Sequence, residues 1–142
     1  MAWRFDPKQL TNDEREALEQ KINKKVDNSH PSTHIVWIGG HNGRGYPQMR
    51  VGKHLETRMG ITCMINPAHI MYCLKHGIVL NTPQYEISHL CHMKSCINVE
   101  HINYEPRHVN KARQVSCAGK LVCTGHDMRD TGQIFPKCIL GP

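Results

Sequence analysis

Cys91, Cys96 and His101 stand in a Cys-x4-Cys-x4-His spacing within a short, turn-rich stretch from Glu86 to Arg113. Thiolate and imidazole groups this close in sequence can converge on one tetrahedral zinc ion. A second group, Cys117-x5-Cys123-x2-His126-x11-Cys138, follows at once and reads as another ligand set. The plain alternatives are a surface loop with incidental thiols for the first group and a disordered basic tail for the second. His89 lies just ahead of the first group and Asn110 just behind it.

Around these residues the chain reads Ser88-His89-Leu90-Cys91-His92, then Cys96, Asn98, His101, Asn110 and Arg113. This pattern resembles the core of the His-Cys box homing endonucleases, zinc-bearing members of the ββα-metal or His-Me finger nucleases. The resemblance spans roughly residues 34–138 and is most specific over 87–117. It implies an α+β fold with a small ββα-metal core, an antiparallel DNA-binding ribbon and two structural zinc sites. The expected organisation is an N-terminal helical extension and linker over 1–33, then a nuclease domain over 34–142. Its core would occupy 85–114 and its second zinc site 117–138.

The resemblance also implies roles. Related domains open a strand with a cysteine three residues before a tryptophan, and here that position holds His34, ahead of Trp37. His34 would complete the first zinc site with Cys91, Cys96 and His101; Cys63 is the rival. Cys117, Cys123, His126 and Cys138 would hold the second zinc. His89 fits the general base, because a near-neutral imidazole can take a proton from water. Asn110 would offer its carbonyl oxygen to one catalytic Mg2+, a hard cation that keeps most of its waters. Arg58 is expected at the scissile phosphate, with Arg50 as the alternative. His89 could instead hydrogen-bond a zinc ligand, and Asn110 could be an ordinary helix-surface residue.

The elements that must position these groups are legible in outline. Strand Tyr85–His89 is expected to lead into the zinc loop, a second strand to cover Ile102–Tyr104, and a helix to start at Pro106 and carry Asn110. His34–Ile38 and Tyr46–Val51 have strand composition around a glycine-rich turn. They resemble a ribbon laid in the major groove, with Arg44, Gln48, Arg50 and Lys53 as DNA contacts; a solvated hairpin is the alternative. Lys94, Arg107, Lys111 and Arg113 are expected to hold backbone phosphates. Residues 11–26 read as an amphipathic helix with a Thr11/Glu14 capping box and a Leu18, Ile22, Val26 stripe, followed by a linker over 27–32. Asn66 to Gly77 reads as a helix with Pro67 at its first position. Cys63 and Cys73 read as free buried thiols.

Composition sets the frame. With 39% hydrophobic and 6% aromatic residues in 142, and with seven cysteines and eleven histidines, the chain suggests a fold stapled by metal. Its N-terminus lacks the apolar segment of a secretory leader and no run could span a membrane, so a reducing, intracellular and nuclear setting is expected. The formal charge of +6 suits a polyanionic partner. The leading expectation is a Mg2+-dependent DNA endonuclease that hydrolyses phosphodiesters of double-stranded DNA, acting at chosen sites as a homodimer. With four residues after Cys138, its interface would have to use the N-terminal helix or the zinc loops. A non-catalytic zinc-stabilised DNA-binding protein and a less specific nuclease are the alternatives.

Overall fold

The computed structural model describes residues 4–29, 33–117, 119–126 and 133–140. Among them are four α-helices and two small antiparallel sheets. Helix α1, Asn12–Asn23, starts at a capping box in which Thr11 accepts from the Glu14 amide and Glu14 accepts from the Thr11 amide. It buries Leu18 and Ile22. It ends earlier than the apolar stripe suggests because Val26 leaves the helix for strand β1, Val26–Asp27, which pairs with β2, Val36–Trp37. The expected linker over 27–32 lies partly outside the described residues.

Helix α2, Lys53–Met59, and helix α3, Pro67–His76, follow. Asn66 caps α3 through its side chain, Pro67 occupies the first turn, and Gly77 closes the helix at φ 64°, a left-handed conformation that glycine adopts at least cost. Phe5, Leu18, Ile22, Trp37, Ile70 and Cys73 share one buried core. Of the two cysteines outside the ligand sets, only Cys73 is buried; Cys63 is half-exposed.

The second sheet joins β3, Tyr85–His89, to β4, Ile102–Pro106, in full antiparallel register, with Glu86 opposite Glu105 and His89 opposite Ile102. Helix α4, Arg107–Ser116, leaves directly from β4. Pro106 therefore ends the strand, one residue before the helix it was expected to open. Strand, loop, strand and helix form the ββα unit.

The expected ribbon differs from what forms. β2 pairs with β1 rather than with Tyr46–Val51. The 40–48 segment closes into a tight loop through a His41–Pro47 bridge and amide bonds from Asn42 to the Tyr46 carbonyl and from Gln48 to the Gly40 carbonyl. Met49 bridges to Ile65 instead. The reason is Trp37, which is 2% exposed. Its Nε1 donates to the Gly40 carbonyl at 2.9 Å, folding residues 37–40 over its own ring. A Cβ at Gly39 would lie 2.6 Å from Trp37 Cζ2, so only glycine permits this turn.

Candidate active site and metal centres

His34 reaches the zinc loop because residues 33–37 run antiparallel to 95–98. The Trp37 amide donates to the Ser95 carbonyl at 2.8 Å, the Ile97 amide to the Ile35 carbonyl at 2.7 Å, and Val36 bridges to Cys96. One potential ligand atom from each of His34, Cys91, Cys96 and His101 then lies within 4.8 Å of the others. Ligands held 2.0–2.3 Å from a tetrahedral zinc stand about 3.3–3.8 Å apart, and Cys96 Sγ is 3.6 Å from His101 Nδ1. The other ring nitrogen of His101 bonds the Thr33 hydroxyl at 2.7 Å, fixing the imidazole with Nδ1 toward the sulfur. Cys63 takes no part in this cluster.

Cys117, Cys123, His126 and Cys138 form the second cluster. His126 Nε2 lies 3.2, 3.3 and 3.5 Å from the sulfurs of Cys117, Cys123 and Cys138, again the spacing of a tetrahedral shell. Cys117 caps α4, and the Ile139 amide bonds the Leu90 carbonyl at 2.8 Å, bringing the C-terminal segment back to the end of β3.

Thiol acidities fit dication sites. The Cys91 side chain bonds Cys96 and holds its thiol down at about 4, while Cys91 is pushed up. Burial pushes Cys117 up to about 12 and would raise Cys123 too, but amides of Cys138 and Gly125 donate to that sulfur and hold it low. In each cluster one thiol is held low while a neighbouring thiol is pushed up, and a bound dication would favour the thiolate form of both. Both four-residue sets could therefore hold zinc.

Arg113 corrects the expectation of a phosphate contact. It is 1% exposed and forks onto Glu105, itself fully buried, at 2.6 and 2.8 Å. A third guanidinium nitrogen donates to Cys138 Sγ at 3.4 Å. Burial alone would raise the Glu105 carboxyl, but the bonds from Arg113 hold it below the usual carboxylate range. Arg113 thus ties α4 to β4 and to the second cluster, and has no exposed face for DNA.

His89 and Asn110, from β3 and α4, line one open cleft of about 380 Å³ together with Tyr46, Gln48, His69 and Glu86. A neighbouring depression shares His89, Asn110 and Tyr46 and adds His92 and Lys94. His89 Nε2 has no hydrogen-bond partner among the described residues. Burial holds this imidazole below the ordinary histidine value, partly offset by Cys96. It is therefore neutral near pH 7 and able to accept a proton. Asn110 Nδ2 donates to Glu86 Oε1 at 2.6 Å. Lys94 Nζ sits 4.9 Å from the centre of the Tyr46 ring and bonds the Arg44 carbonyl.

Arg58 does not reach this cleft. It pairs with Glu14, donates to the Gln9 carbonyl at 3.3 Å, and lines a separate groove with Lys53 and His54. The competition is electrostatic: Glu14 at the start of α1 is the nearer anion, and Arg58 pulls its carboxyl down to about 2. Arg50 forks onto Glu56 at 2.7 and 2.9 Å, in a groove that shares Gln48 and Met64 with the cleft. Of the other expected DNA contacts, Arg44, Lys53, Lys94, Arg107 and Lys111 are exposed, Gln48 is half-buried at the cleft, and Lys53 stands apart with Arg58. Sequence reasoning missed Glu86, His69, Tyr46 and Thr33. None carries a spacing signal, since each acts through a partner distant in the chain.

The chain matches a family model described as the zinc-binding loop region of homing endonuclease, over residues 20–141. No curated protein and no solved structure matches it. No helix among the described residues is long and apolar enough to cross a membrane. With one four-residue Cys/His cluster on the loop of a ββα unit, a second beyond its helix, and most of its length matched, the chain belongs to the homing-endonuclease zinc-binding-loop family.

Proposed function

We propose that the protein is a Mg2+-dependent endonuclease that hydrolyses phosphodiester bonds of double-stranded DNA, with two structural zinc ions per chain. The observation that carries this reading is the shared cleft. Two elements on either side of a metal-ligating loop present a neutral imidazole and a carboxamide to the same space. A protein that only gripped DNA would have no use for a buried proton acceptor there.

In this reading the His89 imidazole takes the proton of the attacking water, so a hydroxide-like nucleophile forms only when the phosphate is in place. Asn110 Oδ1 is the ligand left for the magnesium, because its amide nitrogen is already engaged. When bound, Mg2+ would neutralise charge on the phosphate and on the departing 3′-oxygen. Lys94 supplies the fixed positive charge beside the cleft that Arg58 does not. Tyr46 holds that ammonium over its ring. Arg107 and Lys111 on exposed turns of α4 suit backbone phosphates. One cleft cuts one strand, so cutting both strands at a chosen site calls for a symmetric dimer.

The test uses supercoiled plasmid with Mg2+. The wild-type chain should nick or linearise it. His89→Ala should lower the rate by about 10²–10⁴ while keeping DNA affinity and zinc content. A His89→Ala protein that cuts at the wild-type rate would remove the base, and a wild-type protein inert on every DNA offered would favour a binding role.

A further inference from the structure

Helix α4 turns one polar face to the sheet at Arg107, Asn110 and Arg113, three residues apart and so on neighbouring turns. Each meets a carboxylate. Arg113 takes Glu105; Asn110 and Arg107 both take Glu86, which lies directly across the sheet from Glu105. Two facing carboxylates on one sheet face repel, so this arrangement persists because α4 supplies cations to both. Glu105 with Arg113 is sealed in the interior. Glu86 differs, since it lines the cleft with His89 and Asn110.

The contact decides which way the carboxamide faces. A carboxylate only accepts hydrogen bonds, so the group 2.6 Å from Glu86 Oε1 must be the amide nitrogen of Asn110. Turning the amide over would set its carbonyl oxygen against the carboxylate at the same distance. The second carboxylate oxygen of Glu86 lies 3.4 Å from Arg107 Nε, so a donor stands against that oxygen as well. With one oxygen on the amide and the other beside a guanidinium, Glu86 is poorly placed to ligate a cation itself. Asn110 Oδ1, by contrast, accepts no bond from any described residue.

Resting on the nuclease reading above, we propose that Glu86 is a positioning residue. It locks the Asn110 carboxamide with Oδ1 toward the cleft, and thereby sets the affinity of the site for its divalent cation. Glu86→Gln tests this at nearly constant shape. A glutamine can donate as well as accept, so both amide orientations become allowed and the bias toward Oδ1 is lost.

The measurement is a Mg2+ titration of the zinc-loaded full chain, selectively 15N-labelled at asparagine, following the Asn110 carboxamide by NMR and plasmid nicking in parallel. In the wild type, Mg2+ should shift the Asn110 resonance. In Glu86→Gln the midpoint of that shift should rise about 10- to 100-fold, the usual cost of losing a group that orients a metal ligand. The Mg2+ dependence of nicking should move with it, while DNA affinity without Mg2+ and the zinc content stay constant. Glu86→Ala, which removes the carboxylate altogether, should do the same; it also serves if the glutamine variant folds poorly. Identical midpoints in wild type and variants would overturn the proposal and leave the nuclease reading intact. A wild-type Asn110 that ignores Mg2+, on a chain that cuts no DNA, would overturn both.

Discussion

At the scale of single residues, the sharpest energetic commitment is Arg113. Its pair with Glu105 is buried on both sides, at 1% and 0% side-chain exposure. Removing one partner of such a pair leaves an uncompensated charge in the interior and costs about 3–5 kcal/mol. Arg113→Ala should therefore lower the urea midpoint sharply, whereas Lys111→Ala, one helical position from Asn110 but exposed, should change the unfolding free energy by no more than about 0.5 kcal/mol. His69 carries a different signature. Burial and its neighbour His89 hold its imidazole at about 4, well under the free value of 6.5. Folding thus favours the neutral ring, and its contribution is complete above pH 6.5 and lost as pH falls toward 4. Against wild type, His69→Gln should flatten the fall in stability across that window, and parallel curves would show that the ring is not burdened by burial. What the sequence reveals at this scale is uneven. Cys91, Cys96 and His101 announce themselves by type and spacing, whereas His89 and Asn110 stand out only through the family resemblance. Arg113 reads like any basic residue on a helix, and only its anion on the neighbouring strand shows that it faces inward. Arg58 misleads for the same reason, because Glu14 lies 44 residues away in the chain.

At the scale of elements, short-range signals are legible in the sequence and long-range pairing is not. The capping box at Thr11, the Asn66–Pro67 start and Gly77 end of α3, and strand Tyr85–His89 all follow from short-range chemistry. The ribbon did not form as expected, because strand composition at 34–38 and 46–51 says nothing about partners. β2 found β1 and the zinc loop instead. The Trp37 turn that redirects the chain makes its own prediction. Gly39→Ala forces a methyl group to within 2.6 Å of the indole ring and should cost about 1–3 kcal/mol, the range for overpacking, read as a lower thermal midpoint. An unchanged midpoint would mean that the ring has room to move. Cys96→Ser acts on the same loop from the metal side. It should lose zinc and near-ultraviolet circular dichroism together, and a folded variant with full zinc content would contradict its place among the ligands.

At the scale of the whole molecule, metal is expected to do what apolar burial cannot. The described C-terminal segment after α4 has no regular helix or strand, and Leu121, Val122 and Ile134 stand exposed on it. The second cluster, the Ile139–Leu90 backbone bond and the Arg113–Cys138 contact tie that segment to the ββα unit. Elemental analysis should return about two zinc ions per chain. Chelation should release the C-terminal segment to proteolysis, while a chelated chain with an unchanged digestion pattern would show that packing suffices. One consequence reaches into synthesis. The first cluster draws His34 from far upstream of its other three ligands, whereas all four groups of the second lie at the C-terminal end. On the ribosome, then, the loop beside the cleft can be completed before the distal staple emerges, and of the Arg113 contacts only the one to Cys138 must wait for it. A nascent chain would thus acquire the shape of the cleft while the far end of α4 is still free to move.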